Sequence, residues 1–270
     1  MSRIEGQTVL ITGGASGIGR IMAAMALEKG ARKLILWDID SRGLDATVAE
    51  LRKLHPEVHG SAVDVAGTED VVRASEEVRA SFGGVDLLIN NAGIVVGKYF
   101  HEHTHEDIDR TMTINALAPM HIALEFLPWM LRKGSGHIVN IASAAGMVAN
   151  PRMSAYCASK WGVIGWSDSL RLEMERLGTG IKVTTVTPYY IDTGMFAGVR
   201  SLIPIIKPQA AARKIIRGIE RDRIFVRMPF IVNLLPFVRG VMPLRLFDFV
   251  VGRALRVHST MDGFTGKTAD

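Results

Sequence analysis

QTVLITGGASGIGRIMAAMALEK, residues 7–29, decides how the rest of the chain is read. Gln7, Thr8, Val9, Leu10 and Ile11 form a short, mostly apolar run of strand character. From Gly17 to Lys29 the apolar residues Ile18, Ile21, Met22, Met25 and Ala26 recur at helical spacing. Glycines lie between the two, where they permit a tight turn and let the backbone come close to a ligand. N–H groups at a helix start favour an anion such as a pyrophosphate. Gly13, Ser16, Gly17, Ile18 and Gly19 are the expected contacts, although an ordinary strand-to-helix turn also explains such a cluster.

A second strand, 33–37, ends at Asp38, nineteen residues after Gly19. An acidic side chain there accepts hydrogen bonds from the hydroxyls of an adenosine ribose and repels a 2′-phosphate, which points to NAD over NADP. Ile39 adjoins it, Asp40 adds to the repulsion, and Arg42 and Arg20 offset it. Without the glycine turn upstream, Asp38 reads as a turn residue or helix N-cap.

Further strands are expected near 58–63, 85–90, 137–142, 181–187 and 223–227, separated by helical stretches. Apolar strands alternating with helices describe a doubly wound α/β fold, a parallel sheet of about seven strands covered on both faces. Loops at the carboxyl ends of those strands then meet in one crevice. They carry Asp64 and Val65, Asn90 to Gly93, Ser143, and Pro188 to Thr193 with Ile191 among them.

Tyr156 and Lys160 stand four residues apart, Tyr156 thirteen after Ser143, in SAYCASKWGVIGWSDSL. On a helix over 154–177 they share a face. A fixed cation beside a phenol favours the phenolate, so Lys160 is expected to bring Tyr156 toward the range of a working base.

TGGASGIG (12–19), Asp64, NNAG (90–93), Asn115, Ser143, Tyr156 with Lys160, and Pro188 with Thr193 together resemble the short-chain dehydrogenase/reductase family, over residues 4 to about 195. The resemblance implies a single-domain Rossmann fold and hydride transfer between an alcohol or ketone and a nicotinamide. It implies Tyr156 as general acid/base, Lys160 on the nicotinamide ribose, Ser143 orienting the carbonyl oxygen and Asn115 anchoring a water. Asn91, Ala92 and Gly93 would back the adenine side. Tyr189 departs from the pattern, where glycine commonly follows the proline; a phenol there narrows the nicotinamide pocket or packs against it.

The 270 residues fit one domain (1–270) and contain one cysteine, Cys157, which excludes an internal disulfide or a cysteine metal cluster. Its place beside Tyr156 reads as a buried inert thiol. MSRIEGQTVLITGG enters the first strand without an apolar leader, so the expected location is cytoplasmic. Charge is uneven: Phe196 to His258 holds 12 Lys/Arg against 3 Asp/Glu, within a chain of net charge +5. There the cations alternate with aliphatic side chains. That suits an apolar cap over a pocket, or peripheral membrane contact through 224–256, better than nucleic acid. Pro229, Pro236 and Pro243 should cut the basic apolar extension, 228–258, into short helical pieces.

PYYIDTGMF (188–196), this extension and STMDGFTGK (259–267) are similar to retinol and 17-beta-hydroxysteroid dehydrogenases. A lid over 190–206, with Met195, Phe196, Val199, Leu202, Ile203, Ile205 and Ile206, and a lipophilic alcohol or ketone as partner follow as expectations. So does a homodimer or homotetramer, built through helices at 104–132 and 154–177. His101, His103 and His105 form a histidine-dense tract, but Thr104 followed by Asp107 reads as a helix start, and no metal is expected.

Overall fold

The computed structural model describes residues 2–266, so Lys267, which closes STMDGFTGK, lies outside the described residues. The strands are β1 (Thr8–Thr12), β2 (Lys33–Asp38), β3 (Val58–Ala62), β4 (Leu87–Asn90), β5 (Gly136–Ile141), β6 (Ile181–Pro188) and β7 (Phe225–Met228). Among the described residues they make one parallel sheet in the order β3-β2-β1-β4-β5-β6-β7. Chain direction across the sheet reverses between β1 and β4, the switch point where ligands of open α/β sheets sit.

Alternation along each strand assigns the two faces. Val9, Ile11, Leu34 and Leu36 point to one core with residues of α1 (Gly17–Glu28), α2 (Ser41–Arg52) and α7 (Pro208–Glu220). Leu10, Ile35, Trp37 and Leu88 point to the other, against α3 (Thr68–Phe82), α5 (Ala118–Lys133) and α6 (Ser154–Arg176). Each fully buried Leu, Ile or Val there contributes about 1.5–3 kcal/mol, which fixes strand register, since a one-residue slip would exchange the faces.

Between β4 and α5 the chain forms α4 (His105–Met112), entered through a capping box in which Thr104 and Asp107 bond each other's backbone N–H, as the sequence predicts. A π-turn, Thr113–Leu117, joins α4 to α5 without a break. Residues 105–133 are apolar and long enough to cross a membrane by length and composition. Half of the most apolar 18-residue window in that stretch is buried in the fold, with Ile122, Phe126 and Met130 packed on the sheet.

After β7 come a 3-10 turn (Phe230–Asn233), α8 (Leu235–Val241), α9 (Leu244–Phe247) and a second π-turn (Asp248–Ala254), with Pro236 and Pro243 at the helix starts. These short pieces fold back over the loop between β5 and α6. Phe247, Val251 and Val257 bury Val148, while Arg239 stacks 4.3 Å from the Trp161 ring centroid and donates to the Met147 carbonyl at 2.5 Å.

Candidate active site

The glycine turn is built as a cradle for an anion. Gly13 and Gly17 have φ of +66° and +55°, and a Cβ on Gly13 would meet the Asn91 amide 2.9 Å away. Asn91 Nδ2 donates to the Thr12 and Gly13 carbonyls at 3.0 and 3.1 Å, locking the end of β1 to that of β4. At the N-terminus of α1, Ser16 gives no side-chain cap and the first turn holds no acidic residue. The N–H groups and the positive end of the helix dipole are therefore left for an external anion.

A cleft of about 360 Å³ runs from this turn along the carboxyl ends of the strands. Gly13, Ser16, Gly17 and Ile18 line it at one place, Asp38, Ile39, Asp64 and Val65 at a second, and Asn91, Ala92 and Gly93 at a third. Pro188, Ile191 and Thr193 close the far side, next to Ser143, Tyr156 and Lys160. Asp38 Oδ2 accepts from Ala15 N–H at 2.9 Å and Oδ1 from Asp40 N–H at 3.1 Å, which fixes the carboxylate at the rim. Arg20 is held in an ion pair with Glu50. Asp64 makes a local turn to Ala66 N–H and does not cap α3, whose N-cap is Gly67.

Two expected contacts lie behind the wall. Gly19 packs against the Gly13 carbonyl, where any side chain would collide. Asn115, in the π-turn, donates from Nδ2 to the Ile94 carbonyl and to Ser159 Oγ, while Oδ1 accepts from Ile94 N–H. Its side chain thus splints the strand-end loop rather than facing the cleft. A Cβ added to Gly93 would lie 3.1 Å from Asn115 Oδ1 and 3.7 Å from Lys160 Nζ, a tight contact with the first that the Asn115 side chain would have to yield to.

Tyr156 and Lys160 share one face of α6 and are 5 % and 4 % exposed. Lys160 Nζ lies 5.7 Å from the Tyr156 ring centroid and donates to the Ile141 carbonyl at 2.9 Å. Burial pushes the Tyr156 phenol up to about 12, opposed by a hydrogen bond with Ser143, and pulls Lys160 down to about 8. The sequence predicts a phenol lowered by the cation; here desolvation dominates, the Ser143 hydrogen bond is what opposes it, and the Lys160 ammonium lies over the ring and on a backbone carbonyl. Cys157 is buried and its thiol is pushed up by desolvation, which leaves it protonated.

A second cavity, about 200 Å³ and almost wholly apolar, adjoins the cleft. Ser143, Tyr189 and Phe196 line both. Tyr189 packs edge-on against Tyr190 and bonds Ser201 Oγ at 3.0 Å, so the departure at this position makes a partition between the two spaces. Phe196 packs edge-on against Tyr156, 6.0 Å between centroids. The C-terminal pieces supply Ile231, Val232, Leu235, Val238, Val251 and Val257. Of the expected lid residues, Phe196 and Ile203 line this cavity and Met195 the cleft, Val199 and Ile206 pack in cores, and Leu202 and Ile205 are exposed.

Residues 7–202 match the family described as short chain dehydrogenase. The chain belongs to this family. It is 34% identical over 270 residues to epidermal retinol dehydrogenase 2 of Mus musculus, covering 98% of this chain and 87% of that protein. To estradiol 17-beta-dehydrogenase 11 of Pongo abelii it is 34% identical over 268 residues, covering 94% and 89%. A Burkholderia phymatum short chain dehydrogenase/reductase solved in complex with NAD superposes with a TM-score of 0.81 at 27% identity, covering 94% of this chain and 97% of that one. The protein is thus a short-chain oxidoreductase of the retinol and 17-beta-hydroxysteroid dehydrogenase group. The glycine cradle, open helix N-terminus and rim carboxylate fit a nicotinamide dinucleotide as its cofactor.

Sequence reasoning missed the polar cluster of Asn150, Tyr190 and Thr260 at the apolar cavity. The position of Asn150, seven residues after Ser143 on a strand-end loop, was the available clue. It also missed Trp37 and Arg110 on the cleft wall. The histidine tract lies apart from both cavities, with Tyr99 stacked on His101, and no three-ligand metal cluster occurs among the described residues.

Proposed function

We infer that this oxidoreductase interconverts a lipophilic alcohol and its carbonyl with NAD, at the seam where the dinucleotide cleft meets the apolar cavity. That seam carries the reading: Ser143 lines both spaces, and Tyr156 stands beside it, packed on the shared Phe196. NAD supplies the hydride acceptor. Ser143 Oγ holds the substrate oxygen, Tyr156 takes its proton during oxidation and returns it during reduction, and Lys160 steadies the negative charge that develops on the phenol. Asn115 acts on this group through Ile94 and Ser159 as a positioning residue. Asp38, fixed at the rim with no cation paired to it among the described residues, supports NAD over NADP.

The cavity offers a substrate apolar contact almost throughout, which supports a retinoid, steroid or long-chain alcohol. The test is a panel of alcohols graded by chain length, assayed with NAD and NADP. Lipophilic members should lead, and Tyr156→Phe should lower kcat by about 10²–10⁴-fold while NAD affinity stays within about threefold. Faster turnover of small polar alcohols, or an active Tyr156→Phe enzyme, would defeat the reading.

The outer surface of the C-terminal pieces supports peripheral membrane contact as well. Phe230 and Phe237 are 75% and 70% exposed, with Leu244 and Phe249 nearby in sequence and Arg245 and Arg253 among them. Sedimentation with vesicles containing anionic lipid should carry the protein down at low salt, and Phe237→Asp should release it. Equal recovery of both proteins in the supernatant argues against contact.

A further inference from the structure

One polar cluster interrupts the apolar cavity, and its hydrogen bonds can be followed proton by proton. Thr260 Oγ1 donates to the Val257 carbonyl at 2.9 Å. Its oxygen is then free to accept from the Tyr190 hydroxyl at 2.8 Å and from Asn150 Nδ2 at 2.9 Å. The second Asn150 amide proton goes to the Tyr190 oxygen at 3.0 Å. These four contacts take four protons, so each is filled; turned over, the amide would leave the same four contacts with only the two hydroxyl protons between them, which favours the orientation given. Met153 Sδ, 3.6 Å from Asn150 Nδ2 and 3.8 Å from the Tyr190 oxygen, is a weaker acceptor beside them.

Asn150 Oδ1 is left over. It is buried, the residue is 9 % exposed, and no donor reaches the oxygen. Of the buried polar atoms without a partner among the described residues, only this one belongs to a residue lining the apolar cavity. A buried acceptor with no donor is costly, so this oxygen calls for an occupant of the cavity that can donate, a water or a ligand hydroxyl. Every donor in the cluster is already engaged, so the cluster has capacity to accept and none to give.

Placement separates this acceptor from the reacting end. Tyr190 packs on Phe196, and Phe196 packs on Tyr156, with centroids 5.0 and 6.0 Å apart. The Asn150 cluster is thus one aromatic ring removed from the proposed proton-transfer group, on the cavity side.

We propose that Asn150 Oδ1 is a specificity determinant that receives a hydrogen bond from a hydroxyl carried by the substrate away from the carbon that is oxidised. The substrate class is then a lipophilic diol or hydroxyketone, apolar between two oxygenated ends. An ether or ketone at the remote end, which can only accept, does not satisfy the site. This deepens the reading of the seam as an alcohol site and rests on it for which end reacts.

The test compares decane-1,10-diol, decan-1-ol and 10-methoxydecan-1-ol, with shorter and longer homologues of each, as dissociation constants for the enzyme loaded with NADH. At the best-fitting length the diol should bind at least about tenfold tighter than either analogue, beyond the factor of two from its equivalent ends. In Asn150→Leu the ratio should fall to about that factor. A general packing defect weakens all three ligands together and leaves the ratio standing, and the wild-type comparison decides even if the variant does not fold. Equal affinities in the wild type, a methoxy compound binding like the diol, or a preference that survives Asn150→Leu overturns the proposal. Turnover of the same alcohols is followed in parallel samples that hold NAD, since NADH cannot take up the hydride: a binding preference without oxidation there sinks the assignment of the reaction and leaves this one intact.

Discussion

The two cavities meet at three side chains yet are built on different principles. The dinucleotide cleft lies where the chain leaves parallel strands, so much of its wall is glycine turns, backbone N–H groups and short polar residues held at strand ends. The apolar cavity is made from side chains on a loop, the segment after β6, and the 3-10 turn, α8, the second π-turn and residues 255–257 after β7. The first depends on sheet geometry and suits a ligand of fixed shape. The second can be refitted by substitution without disturbing the sheet, as expected where substrates differ among relatives.

That contrast can be broken or sharpened by experiment. The largest effect should come from the rim carboxylate: Asp38→Ala should move the NAD to NADP ratio of kcat/KM toward NADP by about 10–100-fold, the worth of one or two charged hydrogen bonds. Preference for lipophilic alcohols should not change. If the ratio holds, Asp38 does not read the ribose.

The pH dependence should be intermediate. Lys160 keeps its charge below about 8 and Tyr156 keeps its proton to about 12. Reduction needs both protons, so its kcat/KM should fall by about tenfold per pH unit above about 8. Oxidation needs a phenolate beside an ammonium, a fraction that rises with pH and then levels above about 8. Profiles in both directions check this; an oxidation rate still climbing steeply at pH values well above the Lys160 range would contradict the pairing.

The smallest effect should come from the cap. Arg239→Met removes the stacking on Trp161 and the bond to the Met147 carbonyl. It should raise KM for lipophilic alcohols by about threefold, in line with an exposed cation–π contact, with NAD binding unaffected. A matching loss of NAD affinity would show that the cap and cleft are not separable.

The same contrast explains what could be read from sequence. Residues 7–29 placed β1, the turn and α1 because apolar period and glycine position agree there, and the later strands followed within one or two residues by the same logic. The cleft residues came with the strand ends. Gly19 and Asn115 were found as positions, but sequence spacing could not say that they stand behind the wall. The Tyr156 phenol went the other way because burial dominates it and the Ser143 hydrogen bond only partly opposes this, and burial is a property of the packed site. Val148, Val238 and Val251 carry no motif; only folding brings them around one space.

Because Ser143, Tyr189 and Phe196 belong to both chambers, any adjustment they make for one occupant is felt by the other. Free energy passed through this common wall is reciprocal: the factor by which bound dinucleotide tightens the alcohol equals the factor by which the alcohol retains the dinucleotide. An inhibitor that presses on Phe196 from the apolar side would therefore trap or expel the coenzyme without touching it, and measuring its affinity with and without NAD reads that coupling directly.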